Sequence, residues 1–394
     1  MRKEGSESDE VAVIVADLPD RLPRGWVCIG VASDFKDGKP HGVEAFGTKL
    51  VVFQSESGTL SVLNGFCPHM GADLSEGTVK GDSVACPFHD WRWGADGRCT
   101  AVPYAKRMPA RARTRSWQTQ EVDDLLFVWY DSEGGPPDED MVLPRIPNFA
   151  TDFSPWSHSV HEVGISGREL VDNMVDVAHF FYVHGQGVAV APTFFGNRFE
   201  GHVAWQFMEV GVTAESFTDD YDKMQPGYPL ERVPYGSLRG ETLYTGPCLL
   251  QSRLASCFDG EFADTYIVLA QVPKTPNSFT LHMLITTRHK PGLTPEQNAE
   301  RQLRVAEFNR QNTLQDVHIW ETKTRIDNPL LCDTDGPVYQ LRRWYEQYFI
   351  DRAQVKPEMR NLFEYQTDTR HALDVWEVQA QEKLAELGAL AEAD

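Results

Sequence analysis

Cys67-Pro68-His69 and Cys86-Pro87-Phe88-His89, with sixteen residues between them, constrain this chain more than any other feature. Each stretch offers one thiolate and one imidazole from a tight loop. Together they supply Cys₂His₂, the ligand set of a Rieske [2Fe–2S] cluster, in which two His replace two Cys on one iron. The same set suits tetrahedral Zn²⁺. Zinc fingers, however, usually place Cys with Cys and His with His. Here each loop carries a mixed pair, Cys-x-His and then Cys-x₂-His, which lets both cysteines hold one iron and both histidines the other. Gly65, Gly71, Gly77 and Gly81 surround the loops, where backbone amides must approach cluster sulfurs. No extra Cys ties one loop to the other. That points to the lower part of the Rieske potential range, roughly −150 mV, where an electron carrier for an oxygenase sits.

A cluster passes single electrons, so the rest of the chain should contain what receives them. With 394 residues, two domains are expected, and an apolar share of 41% suffices for ordinary cores. The formal charge of −21 argues against nucleic acid, because phosphate binding needs clustered Lys and Arg. An acidic surface could instead dock a basic patch on a redox protein. No apolar run approaches the roughly 18 residues of a membrane span, and Val11 to Ala16 is too short for a signal peptide. Five cysteines lie outside the loops, Cys28, Cys99, Cys248, Cys257 and Cys332, scattered and odd in number. Reduced thiols in a cytoplasmic protein are the expectation.

Residues 1–20 are charged and irregular and read as a mobile tail. Residues 21–137 read as an all-β module, with short runs at Trp26–Val31, Lys49–Phe53, Leu60–Leu63 and Leu125–Tyr130 and the cluster loops at its tip. Glu133 to Asp138 is the linker candidate. Residues 138–394 mix longer strands (200–210, 266–272, 278–286) with helices, an α+β pattern without βαβ alternation. Ser166-Gly167-Arg168-Glu169 reads as a capping box opening a helix through His184. Thr294-Pro295-Glu296-Gln297 reads as a second, with Pro at the first helical position. About Thr369 to Leu390 reads as an exposed amphipathic helix.

The first of these helices carries Asn173, Asp176, His179 and His184. Two His and one carboxylate with open positions mark non-haem Fe(II) oxygenases. On a straight α-helix, though, residues five apart lie about 140° out of line. His179 and His184 converge only if the helix widens or ends there, which Gly185-Gln186-Gly187 allows. Spacing alone leaves open two core histidines satisfied by hydrogen bonds. The third ligand has to come from elsewhere. The second capped helix shows a stripe of Ala299, Leu303, Ala306, Thr313, Val317 and Trp320. Asp316 falls on that side, where an unpaired carboxylate is costly to bury and iron is one cation that would satisfy it. His318, His158, His161, Glu307 and Glu321 are expected at the surface. Asp176, one turn before His179, can hydrogen-bond a ligating imidazole.

The two cysteine loops, the run from Asn173 to His184 and Leu314-Gln315-Asp316-Val317 resemble the Rieske non-haem iron oxygenases over almost the whole chain. More closely, Cys86 to Trp93, Lys323 to Leu331 and Tyr339 to Gln347 resemble the oxygenase component of 3-ketosteroid 9α-hydroxylase. The last two runs carry no obvious chemistry, so their likeness reflects kinship. The resemblance implies an α+β chain: an N-terminal all-β Rieske domain of stacked antiparallel sheets, then a catalytic domain with a curved antiparallel sheet flanked by helices. It implies Cys67, His69, Cys86 and His89 on the [2Fe–2S] cluster and His179, His184 and Asp316 on a mononuclear Fe(II). It implies Asp176 as the electron-transfer bridge, with Asn173 beside it. A head-to-tail homotrimer follows from the resemblance, because within one chain the two centres are too far apart. So does a separate flavin and [2Fe–2S] reductase using NADH. The stretch Gly185 to Thr193 is longer than the usual connection, and Thr313 stands where an aromatic pocket residue is expected. Met174, Thr313 and Trp320 suit a large apolar, steroid-like substrate, or else pack the core.

The expected activity is monooxygenation with O₂ as co-substrate, one oxygen entering a C–H bond of a 3-ketosteroid at C9α and the other leaving as water. One rival is hydroxylation or demethylation of another bulky apolar molecule. Another is a Rieske electron carrier with a C-terminal binding module, which leaves Asp316 without a role. Iron stoichiometry separates the carrier from the oxygenase.

Overall fold

The computed structural model describes residues 13–184, 191–211, 217, 222–258 and 260–391. Every strand pairing is antiparallel. In the N-terminal part, Gly25–Val31 pairs with Leu125–Tyr130, which pairs with Thr119–Val122. A four-stranded sheet follows, built from His41–Ala45, Thr48–Gln54, Leu60–Asn64 and Ser116–Trp117. A second joins Thr78–Lys80, Ser83–Ala85, Arg92–Gly94 and Cys99–Ala101.

The two-residue period of a strand sorts these side chains into separate cores. Leu50 and Val52 join one apolar cluster with Val62 and Trp117. Val51 and Phe53, on the opposite face, join another with Leu63, Trp93 and the two cysteines, Cys67 and Cys86. The same alternation runs through Leu125–Tyr130. Leu126 and Val128 stay in the N-terminal core, while Leu125, Phe127 and Trp129 turn to a core shared with Tyr244, Val268, Leu269, Trp320 and Trp344. That shared core is how the all-β part is fastened to the rest.

The C-terminal part is organised by an eight-stranded sheet. Its spatial order is Ser157–Val163, Ser278–Thr287, Glu261–Thr275, Leu249–Phe258, Ser237–Thr245, Val203–Gly211, Pro192–Glu200 and Phe363–Gln366. The strand expected from Glu200 starts at Val203 instead, because the chain reverses at Gly201, whose φ is 58°. Helices Pro295–Thr322, Val338–Glu346 and Arg370–Ala391 flank the sheet. Among the described residues no helix is long and apolar enough to cross a membrane.

Several local expectations need correction. Thr294 and Gln297 form the reciprocal capping box of the long helix, but Ser166 and Glu169 form none. The Glu169 side chain is buried and turned towards Lys323 and Arg325. The helix it was to open runs only Arg168–Val171, tightens into a 3₁₀ turn at Asp172–Val175, and stops at Asp176 (φ −96°, ψ 106°). The buried side of the long helix is also less apolar than its stripe suggested. Leu303 is 64% exposed, whereas Asn298, Gln302, Asn309 and Thr313 face inward. Hydrogen bonds make that affordable: Gln302 Nε2 donates to Ile285 O, and Gln302 Oε1 accepts from Thr287 Oγ1 at 2.7 Å. His158, expected in solvent, instead stacks on His282 at 5.0 Å.

Residues 1–12 of the expected tail lie outside the described residues, but the rest of it is tied down. Ile14 N–H donates to Asn328 Oδ1 at 2.8 Å, and Ala16 N–H to Arg325 O at 2.9 Å. The linker is equally held. Arg352 donates to Asp131 Oδ2, to Asp138 and to the carbonyl of Pro136, while Asp131 caps the N–H groups of Glu133 and Gly135.

Candidate metal centres

The two cysteine loops close identically. Cys67 N–H bonds Ala72 O and Gly71 N–H bonds Cys67 O, both at 2.8 Å; Cys86 N–H bonds Trp91 O at 2.9 Å and Asp90 N–H bonds Cys86 O at 3.0 Å. The fifth residue of each loop is left-handed, Gly71 with φ 78° and Asp90 with φ 53°. Asp is one of the few side chains that tolerate this region, and Lys80 and Arg92 hold its carboxylate. The chain leaving the first loop packs closely on the strand that enters the second. A Cβ on Gly77 would lie 2.1 Å from the carbonyl oxygen of Ala85, next to Cys86.

This convergence leaves polar atoms stranded. His69 and His89 lie with ring centroids 4.8 Å apart, and their Nδ1 atoms are buried without a hydrogen-bond partner, as is Trp93 Nε1. Buried polar atoms without partners are rare and costly. Three of them around two buried thiols fit a cluster whose iron takes the imidazoles. Burial pushes the Cys67 thiol up, so its thiolate requires a cation beside it. Trp91 stacks on His69 at 4.5 Å, and its Nε1 donates to Tyr104 OH at 2.7 Å.

The second centre forms where the broken helix resumes. Phe180–His184 is a π-type turn, the widening that two histidines five apart require. It brings the His179 and His184 rings to 5.3 Å. Asp316, from the long helix, completes a trio whose ligand atoms all lie within 4.8 Å of one another. The outer nitrogens are already engaged. His179 Nδ1 donates to the Asp176 carbonyl at 2.6 Å, and His184 Nδ1 faces Gln315 Oε1 at 3.3 Å. Both Nε2 atoms are left for a metal, the usual arrangement of ligating histidines. His184 Nε2 sits 3.2 Å from Asp316 Oδ2. Burial lowers the His184 imidazole, but Asp316 and Gln315 outweigh it and the net shift is upward. A proton there answers the same carboxylate that a metal would. Side-chain exposures of 10%, 15% and 12% for His179, His184 and Asp316 leave the site desolvated but reachable.

Asp176 meets His179 through two different atoms. Its backbone oxygen, not its carboxylate, receives the His179 ring N–H. The carboxylate accepts the His179 backbone N–H at 3.1 Å and stays 47% exposed. Asn173 Oδ1 accepts from Trp320 Nε1 at 3.3 Å. Met174 and Trp320 lie in the shared core, and Thr313 Oγ1 donates to Asn309 O. Met174 and Trp320 therefore meet packing, and none of the three lines the cleft between residues 151 and 303. Gly185–Val190 of the long connection lie outside the described residues.

Sequence reasoning missed what anchors the ligand segment. Asp172 takes two hydrogen bonds from Arg342, at 3.2 and 2.7 Å, and one from Arg325 at 3.3 Å. Lys323 Nζ pairs with Glu169 Oε2 at 3.0 Å. The runs that carried no obvious chemistry hold the ligands from behind. The available signal was Glu169 and Asp172 three apart, two acids on one helical face.

Comparison with known proteins covers both parts of the chain. Residues 25–118 match the model of the Rieske [2Fe-2S] domain, and residues 128–349 that of the 3-Ketosteroid 9alpha-hydroxylase C-terminal domain. The chain is 46% identical over 370 residues to the 3-ketosteroid-9-alpha-monooxygenase, oxygenase component, of Mycobacterium tuberculosis, covering 93% of this chain and 92% of that protein. It is 44% identical over 387 residues to one from Rhodococcus rhodochrous, covering 98% and 95%. Among solved structures, Pseudomonas putida CBB5 NdmB shares the fold with a TM-score of 0.62 at 18% identity, over 85% of this chain and 93% of that one. An N-terminal all-β Rieske domain and a C-terminal domain built on a large antiparallel sheet thus define an α+β Rieske oxygenase. This chain belongs to the family of 3-ketosteroid-9-alpha-monooxygenase oxygenase components.

Proposed function

We propose that this protein is the oxygenase component of a monooxygenase that hydroxylates a 3-ketosteroid at C9α, using O₂ and electrons from a separate NADH-dependent reductase. The observation that carries the reading is the convergence of His179, His184 and Asp316 within 4.8 Å in a chain that also brings two Cys-His loops together. Cys67 and Cys86, with Nδ1 of His69 and His89, would hold the cluster. Nε2 of His179 and His184, with the Asp316 carboxylate, would hold Fe(II). When bound, the two centres supply one-electron transfer and O₂ activation.

The chain's own residues do the rest. The Asp176 carbonyl and Gln315 fix which imidazole nitrogen is free. The half-exposed Asp176 carboxylate is the bridge: it can accept a hydrogen bond from a cluster imidazole of a neighbouring copy while holding the start of the His179 turn. We therefore read the assembly as a head-to-tail homotrimer. Domains at 21–137 and 138–394, meeting in the clamped linker, fit this arrangement. The five cysteines outside the cluster loops, none of them in a disulfide, support a reducing compartment, and we place the protein in the cytoplasm.

The test is turnover of 4-androstene-3,17-dione with a generic reductase, NADH and ¹⁸O₂. We expect a product carrying one labelled oxygen and about three irons per chain, two of them in the cluster. His179→Ala should lose the product and one iron while keeping the Rieske spectrum. NADH and O₂ consumed without labelled product would reject the steroid and leave bulkier apolar substrates, including demethylation. About two irons per chain would reject the oxygenase.

A further inference from the structure

In a chain of net charge −21, residues 106–115 carry five cations, Lys106, Arg107, Arg111, Arg113 and Arg115, and no acid. All five are exposed. Arg115 lies over the Trp117 ring at 3.7 Å. Among the described residues, none of the other four makes an ion pair, although Lys80, Arg92 and Arg98 in the same sheet are paired with Asp90 and Asp96. This concentration of unneutralised charge is the reverse of the rest of the surface.

Its position matters more than its size. Cys99 N–H bonds Ala112 O, and Arg98 pairs with Arg113 as an isolated bridge, which lays the run along the sheet that carries the second cluster loop. Just before it, Tyr104 accepts the Trp91 indole N–H, and Trp91 stacks on His69. Tyr104 is 64% exposed, and Met108 is also open to solvent. Exposed apolar side chains accompanied by charges of one sign have the make-up of a docking surface.

We propose that residues 104–115 dock an acidic one-electron [2Fe–2S] protein, the iron–sulfur part of the reductase. The proposal rests on reading the two loops as holders of a Rieske cluster. The donor's reduced centre loses one electron and the oxidised Rieske cluster gains it; no bond forms or breaks. A permanent contact with a second copy fits less well. It would bury five cations, and the desolvation of buried charge is costly unless each is paired. A transient redox partner needs fast, steered encounter through a small and wet interface, which concentrated charge supplies.

The experiment uses full-length, cluster-loaded protein and oxidised plant-type [2Fe–2S] ferredoxin as the probe. Calorimetry gives Kd at low and at high salt, and light scattering gives the mass of the assembly. For the double variant Lys106→Glu with Arg107→Glu, we expect Kd at low salt to rise about tenfold or more. The wild-type difference should shrink in high salt, and the mass should not change. Arg304→Glu, an exposed cation on the long helix, should bind like wild type. Equal Kd for the double variant and wild type would overturn the proposal. So would a fall in mass of the double variant, which would assign the run to contact between copies. Failure of dithionite to bleach the wild-type cluster would overturn the cluster reading beneath it.

Discussion

Asp176 does two jobs with two different atoms. Its backbone oxygen sets the His179 tautomer, which any residue at this position could do. Its carboxylate caps the next turn and faces outward at 47% exposure, which an amide can imitate in shape but not in charge. Asp176→Asn should therefore keep both metals and slow turnover by about 100-fold, the upper range for residues that support a ligand. Iron content with steady-state rate checks it, and a fully loaded variant at wild-type rate would remove the bridge. Cys67, His69, Cys86 and His89 were legible in the sequence because ligand type and loop spacing are local. Gln315 was not, since its relation to His184 spans 131 positions.

At the scale of elements, the segment Arg168–His184 shows where pattern reading stops. Its acids, histidines and trailing glycines suggested one helix, but the chain forms an α-turn, a 3₁₀ turn, a break and a π-turn. Each change is imposed from outside. Arg325 and Arg342 pull on Asp172, and Gly336 lets its loop close on the Val175 carbonyl, where a Cβ would come within 2.1 Å. No propensity records such long-range forces. The Thr294 box, whose two bonds lie within four residues, was legible for the opposite reason. Arg342→Ala leaves a largely buried carboxylate with half its partners. We expect about 2 kcal/mol of lost stability by urea unfolding, below the cost of breaking a fully buried pair. The iron-to-cluster ratio should fall as well, because the anchor sits behind the iron ligands and not behind the cysteine loops.

Across the whole molecule, the two parts meet through a shared core and through a polar contact at its margin. His158 Nε2 lies 3.0 Å from His282 Nδ1, with Asp34 from the N-terminal part 3.8 Å from His158. Burial, and then the neighbouring His158, lowers His282 to about 4. The unfolded chain binds that proton near 6.5, so between these values it holds more protons than the folded one. Stability should be full above pH 6.5 and decline as pH falls towards 4, by as much as about 3 kcal/mol. Urea midpoints at pH 7.5 and 5 test this. His282→Gln should flatten the difference, and an unchanged slope would clear His282 of the effect. The fold class was readable because strand runs such as Leu50–Phe53 declare two buried faces. How the two parts lock together was not, since His158 read as a solvated histidine and no local pattern tied it to His282.

The clamp on the linker has a consequence for how activity depends on protein concentration. Arg352 fastens Asp131, Pro136 and Asp138, so residues 133–138 form a strut rather than a tether, and the cysteine loops cannot swing freely about it. In the head-to-tail trimer proposed above, a rigid arm of this kind makes the working unit a ring of chains, and dilution should act as an inhibitor. Product formed per chain should drop as the ring falls apart and return on reconcentration, whereas a swinging arm would keep the same output at any dilution.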